Sequence, residues 1–311
     1  MVKSFRSEKS RRVRLTRKEK SKILDIDPLF KSISKSVYFD NYDLPCPVKV
    51  DVLTKDNNIK MVVLRKARHG FIKKEIRIIK LLKEFGLAVP DILCFPFRNE
   101  KGEDVAVYSL LRGENLQKLG MKSTKGLNEA KKLLIEAVIN LMGATRFIKN
   151  SKFSKSFPDI TLDYELKIVN NKNNPWFKEK IFKYSVKTLK PIIKKVKTPL
   201  VFSNGDYQPG NFLVENGKIT GFLDFESPSF QDPLMGFVKY PIYDLYPLAR
   251  TNIIELFLKK KGFSNRDFNI RLALGCLKIL KKVIPVKGGD KDTQRYRKRV
   301  LKLLNISLRG I

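Results

Sequence analysis

Residues 203–226, SNGDYQPGNFLVENGKITGFLDFE, constrain the fold of this chain more than any other segment. Two β-prone runs, 212–215 and 218–223, flank Asn216-Gly217, the dipeptide that most favours a two-residue type I′ hairpin, because both of its positions take positive φ. A loop of that length sets the pairing, with Glu215 facing Lys218 and Asn211 facing Phe222. Residues 222 and 224 share a face by the period of two, so the spacing predicts Asn211 and Asp224 as diagonal neighbours at the open end of the ribbon. An amide and a carboxylate converging there make a hard-oxygen site. Such a site suits Mg²⁺, which takes one or two protein ligands and keeps waters or substrate phosphates for the rest.

Asp206 lies five residues before Asn211, in the loop after the apolar run Leu200-Val201-Phe202. Asp206-x4-Asn211, followed by Asp224 beyond a hairpin, is the arrangement that phosphoryl transfer needs. One carboxylate orients a hydroxyl, and two ligands hold the metal that accompanies ATP. The alternative is an ordinary hairpin with solvated polar ends, since Asp, Asn and Gly all favour turns.

NGDYQPGN, ITGFLDFE and the following Asp232-Pro233 resemble the HGDxxxxN and IDF/IDW motifs of the aminoglycoside phosphotransferase and choline kinase family. The resemblance implies a two-lobed, protein-kinase-like α+β fold, with a small antiparallel β-rich N-lobe carrying one helix and a larger, mainly helical C-lobe. It also implies Asp206 as the catalytic aspartate, Asn211 as a Mg²⁺ ligand and Asp224 as the counterpart of the aspartate in a kinase DFG motif. Two positions depart from the pattern. Asn204 stands where the family usually has histidine, and Gly236 where DPxxD would carry a second aspartate.

A kinase-like reading requires a basic residue on an upstream strand and an inward carboxylate on the next helix. Residues 59–64 form a β-rich run ending at Arg65, and 71–85 have helical periodicity closed by Gly86 and Pro90. Phe71, Ile78, Leu82 and Phe85 make one stripe that includes Glu75. A charge in an apolar stripe needs a partner, and Arg65 is the nearest candidate; a solvated Glu75 on a tilted helix is the alternative. VVLR and KKEIRIIKLLKEFGLAVPDIL are similar to the family's phosphate-contacting strand and its REAEVLRAL…VPVPRVL helix and turn. By the same resemblance, backbone groups near Ser109 and Leu110 meet the adenine, although a buried strand and a glycine turn explain those residues equally well. The family's small-residue phosphate turn has no glycine equivalent here. Residues 40–47 read DNYDLPCP, and proline lacks the N–H that such a cradle uses.

A length of 311 residues and a hydrophobic content of 42% accommodate a two-lobed globular body. No apolar run is long enough to span a membrane. Cys46, Cys94 and Cys276 are odd in number and far apart, so free thiols in a reducing, cytoplasmic setting are expected. The one histidine, His69, falls between strand and helix, where it reads as a loop residue. Net charge is +33, with ten basic and two acidic residues in 1–23 and again in 281–311. Such ends suggest arms for a polyanion, RNA or an anionic surface, unless they reflect a general lysine bias.

The expected organisation is a basic, mobile arm over 1–25, an N-lobe on the nucleotide side over 26–110, and a C-lobe over 111–311 holding the catalytic hairpin and the substrate side. The function expected is Mg²⁺- and ATP-dependent transfer of phosphate to a hydroxyl of a small molecule. The alternative is a weakly active or inactive kinase-like protein that binds RNA through its basic arms. Few acids lie in the second half outside the hairpin, chiefly Asp163, Glu165 and Asp244, so a cationic antibiotic fits poorly as acceptor.

Overall fold

The structure is a computed structural model that describes residues 12–39, 47–66, 72–171 and 173–311. The first part of the basic arm, most of the glycine-free 40–47 stretch including Cys46, His69 and Phe71 lie outside the described residues. The chain begins with α1 (Arg17–Leu24), β1 (Phe30–Tyr38), β2 (Val48–Thr54), β3 (Ile59–Lys66), α2 (Ile72–Glu84), β4 (Ile92–Arg98) and β5 (Asp104–Ser109). It continues through β6 (Glu114–Asn115), α3 (Leu116–Lys122), α4 (Thr124–Gly143), α5 (Thr145–Lys149), β7 (Asp159–Ile160), α6 (Leu162–Val169), α7 (Lys180–Ile193) and β8 (Val201–Ser203). After β9 (Phe212–Glu215) and β10 (Lys218–Phe222) come β11 (Ser229–Gln231), α8 (Lys239–Tyr243), α9 (Ile253–Lys261), α10 (Asn265–Val283) and α11 (Lys291–Arg309).

These elements form two compact units. The smaller comprises the described residues up to Gly113 together with Leu213–Ser227. Its sheet is antiparallel, in the order β1-β2-β3-β5-β4. Along β2, Val48, Val50 and Val52 are fully buried while the residues between them are half-buried, as a strand with one covered face requires. They meet Val62, Leu64, Val105 and Val107 in one apolar core.

The expectation of a mobile arm over 1–25 is corrected from Arg12 onward. Leu15 and Ile23 are buried in that same core, and Val13 N donates to Ser36 O at 3.0 Å. Thr16 and Glu19 cap α1 reciprocally, and the fully buried Glu19 pairs with Lys66 at 3.1 Å. Two well-spaced apolar side chains outweigh the surrounding charges, because lysine and arginine reach water from a helix whose other face is covered.

The hairpin is also reassigned. Expected in the C-lobe, residues 213–227 belong to the smaller unit, where Phe222 N donates to Ala88 O at 2.8 Å and Thr220 Oγ1 to Arg112 O at 2.8 Å. Gly113, at φ 101°, passes so close to β9 that a Cβ there would lie 2.6 Å from Val214 O.

The larger unit comprises Glu114–Phe212 and Pro228–Ile311. Its centre is α10, which is buried nearly all round from Ile270 to Leu277 and is packed by α6, α7 and α11. Trp176 is buried beside it, donating Nε1–H to Ile284 O at 2.6 Å. A short sheet, β7-β11-β8, supports the loop after Ser203. Among the described residues no helix is long and apolar enough to cross a membrane.

Candidate active site

Each unit carries its own set of polar groups. In the smaller unit, the alternation of β3 places Arg65 on the face opposite the buried Leu64, and the first turn of α2 brings Glu75 to it. Arg65 Nε lies 3.1 Å from Glu75 Oε2, while Nη2 lies 3.1 Å from Asp224 Oδ1 and 3.0 Å from Glu226 Oε1. Burial opposes the guanidinium charge, but Glu75, Asp224 and Glu226 outweigh it and hold the Arg65 pKa above its ordinary value. Glu75 is 4% exposed, and burial pushes its pKa up to about 7 against the pull of Arg65. Phe85, expected on the buried stripe, is 37% exposed in the turn that directly follows α2.

The type I′ turn is present, with Asn216 at φ 51° and Gly217 at φ 70°. The pleated ribbon, however, stops short of the two residues it was expected to align. Asn211 closes a 3₁₀ turn, Pro209–Asn211, and Asp224 is left-handed at φ 61°. The period-two argument for their pairing therefore does not apply, because neither residue is in a strand. A positive φ at a non-glycine residue is costly and is held by its surroundings; at Asp224 the Arg65 ion pair is one such restraint. Ser109 N–H donates to Asp91 O at 2.9 Å. Leu110 follows directly beyond β5.

In the larger unit, the loop after β8 is built around Asp206. Ser203 Oγ accepts from Gly205 N and Gln231 Nε2, and the buried Asn204 accepts the Asp206 N–H at 3.1 Å. Asn204, standing in a histidine position, thus supports the loop directly. Asp206 accepts from Gln208 N at 3.2 Å and from Gln208 Nε2 at 2.7 Å. Asn211 donates Nδ2–H to Asp206 O at 3.1 Å, and its Oδ1 has no hydrogen-bond partner among the described residues. Gly236 has a steric reason: a Cβ there would lie 2.1 Å from the ring of the fully buried Tyr207. Asp232 is locked by the fully buried Arg271, with contacts at 2.7, 3.1 and 3.2 Å.

Sequence reasoning missed Glu226 and Lys239. Lys239 Nζ lies 2.8 Å from Asp206 Oδ2. Glu226 was legible only as a second acid close after Asp224 in the sequence; Lys239 left no such signal.

An antiparallel sheet whose strand arginine pairs with a helix glutamate, and a helical unit presenting an aspartate loop, define a kinase-like α+β phosphotransferase fold. The chain belongs to the phosphotransferase enzyme family, APH, whose model matches residues 50–252. Among solved structures, aminoglycoside phosphotransferase APH(4)-Ia matches with a TM-score of 0.65 at 13% identity over 90% of this chain and 95% of that one. A GDP and kanamycin complex of APH(2")-IIIa matches with a TM-score of 0.61 at 16% identity, covering 92% and 97%. The amicoumacin kinase hAmiN, in complex with AMP-PNP, Ca²⁺ and Ami, matches with a TM-score of 0.55 at 12% identity, covering 90% and 92%. A search of curated protein sequences gave no match.

Proposed function

We propose that the protein transfers the γ-phosphate of ATP, with Mg²⁺, to a hydroxyl group of a small molecule. The observation that carries this reading is the Arg65 fork, which joins Glu75 from the next helix to Asp224 from far along the chain. An ordinary hairpin with solvated ends has no need of it. Arg65, oriented by Glu75, contacts the nucleotide phosphates. Asp206 orients the acceptor hydroxyl and takes its proton as the new O–P bond forms and the bond to the ADP oxygen breaks. Asn211 Oδ1 and the Asp224 carboxylate are hard donors of the kind Mg²⁺ selects, and they would hold it. The metal would supply charge neutralisation at the phosphate oxygens. The chain's own contribution is mainly positioning. Neighbours of this fold crystallised with ADP, AMP-PNP or GDP support nucleotide binding.

Thermal unfolding with Mg-ATP and Mg-GTP tests the reading. At a hundred times Kd a bound nucleotide adds about 2.7 kcal/mol. Asp224→Ala is expected to abolish that gain, and Asp206→Ala to keep it while losing transfer. No stabilisation of the native protein at millimolar nucleotide would refute the assignment.

One observation supports the polyanion alternative. On α11, Lys291, Arg295, Lys298, Lys302 and Arg309 share a single exposed face. RNA affinity that falls steeply with salt, and weakens in K298E/K302E, supports that role, whereas a flat salt response rejects it.

A further inference from the structure

Asp206 carries a cationic neighbour. Lys239 opens α8, with Nζ 2.8 Å from Asp206 Oδ2 and 3.2 Å from Gly205 O, and its side chain is 30% exposed. An ammonium has three N–H donors, and among the described residues no other acceptor takes the third. The position is rigid: Tyr240 OH donates to Tyr207 O at 2.7 Å, and Phe237 packs edge-on against Tyr207 at 5.5 Å. Tyr243, four residues after Lys239 and on the same face of α8, has its phenol pKa raised by burial and by the charge of Asp206. The three acids singled out above as the chief candidates to recognise a polycation are each paired. Asp244 lies 2.7 Å from Arg250 and 3.9 Å from Arg299, Asp163 lies 2.7 Å from Lys167, and the buried Glu165 pairs with Lys278.

A bare catalytic carboxylate attracts cationic acceptors and repels anionic ones. Lys239 cancels that preference and adds a donor on the acceptor side. We infer that Lys239 is a specificity-determining residue of the proposed transfer, its spare N–H binding an anionic oxygen, carboxylate or phosphate ester, carried by the acceptor near the hydroxyl that Asp206 orients. The inference rests on the phosphotransferase reading above.

The test uses the full chain with Mg-ATP and a panel of hydroxyl compounds sorted by charge: glycerate and glycerol 3-phosphate with other anions, glycerol and other neutral polyols, and choline and kanamycin with other cations. ATP consumption is expected among the anions. For those acceptors K239A is expected to lower kcat/KM by about thirtyfold, K239R to recover most of it, and K239E to move the preference to neutral or cationic compounds. A purely structural lysine would lower all acceptors alike, and K239E would not change their order. Turnover confined to cations, no turnover of any anion, or an anionic preference that survives in K239A overturns the inference alone when Mg-nucleotide stabilisation is present. Absence of that stabilisation overturns the underlying reading as well.

Discussion

Replacing Glu75 with glutamine removes a titration from the interior of the smaller unit. The Glu75 carboxyl is almost completely buried, and burial raises its pKa from 4.5 to about 7 even with Arg65 at 3.1 Å. Between those values the folded chain holds a proton that the unfolded chain has already released. Stability from this group is therefore complete below the unfolded pKa and is lost as pH rises toward about 7. At roughly 1.4 kcal/mol per pH unit, the loss integrates to about 3 kcal/mol. Glutamine keeps the shape and has no proton to lose. The variant has its own constant offset from losing the charged pair, but its stability relative to the native protein should rise by about 3 kcal/mol between about pH 5 and about pH 8. Urea unfolding followed by circular dichroism, at matched ionic strength, measures the difference. A difference that stays constant to within about 0.5 kcal/mol across that range refutes the reasoning.

Gly236→Ala should cost about 1–3 kcal/mol, read from the urea midpoint, because the buried Tyr207 ring has nowhere to move. Arg271→Met leaves Asp232 buried and unpaired, and a loss of about 3–5 kcal/mol is expected; the double change R271M/D232L should be less destabilised than R271M alone. Ile23→Ala should cost about 2–5 kcal/mol if α1 is part of the core, whereas a free arm would show almost no change.

Where local chemistry dictated geometry, the sequence was readable. Asn216-Gly217 required positive φ at both positions and has it, and a lone glutamate on the α2 stripe required a cation and found Arg65. What could not be read depended on distant partners. The segment around α1 looked like a charged arm because few apolar residues, chiefly Leu15 and Ile23, commit it to the core, and their receiving surface is built by strands further along the chain. Asp224 leaves the strand conformation at a residue whose restraint comes from Arg65. Lys239 carries no motif, and its approach to Asp206 depends on the packing of α8 against Tyr207. Gly236 looked like a loss in the sequence, but the structure shows it as the space Tyr207 occupies.

The Arg65 fork also bears on how the chain is made. Its partners Asp224 and Glu226 lie 159 and 161 residues downstream, with the first half of the larger unit intervening. During synthesis at about 5–20 residues per second, the last strand of the N-terminal sheet is synthesised roughly 5–25 seconds before those carboxylates exist. In that interval Arg65 has Glu75 alone. A chain interrupted before residue 213 carries the sheet and the strand arginine without the acidic partners that complete the cluster. Moving residues 213–227 to follow Gly113 directly would remove the delay, because the smaller unit would then be encoded as one uninterrupted segment.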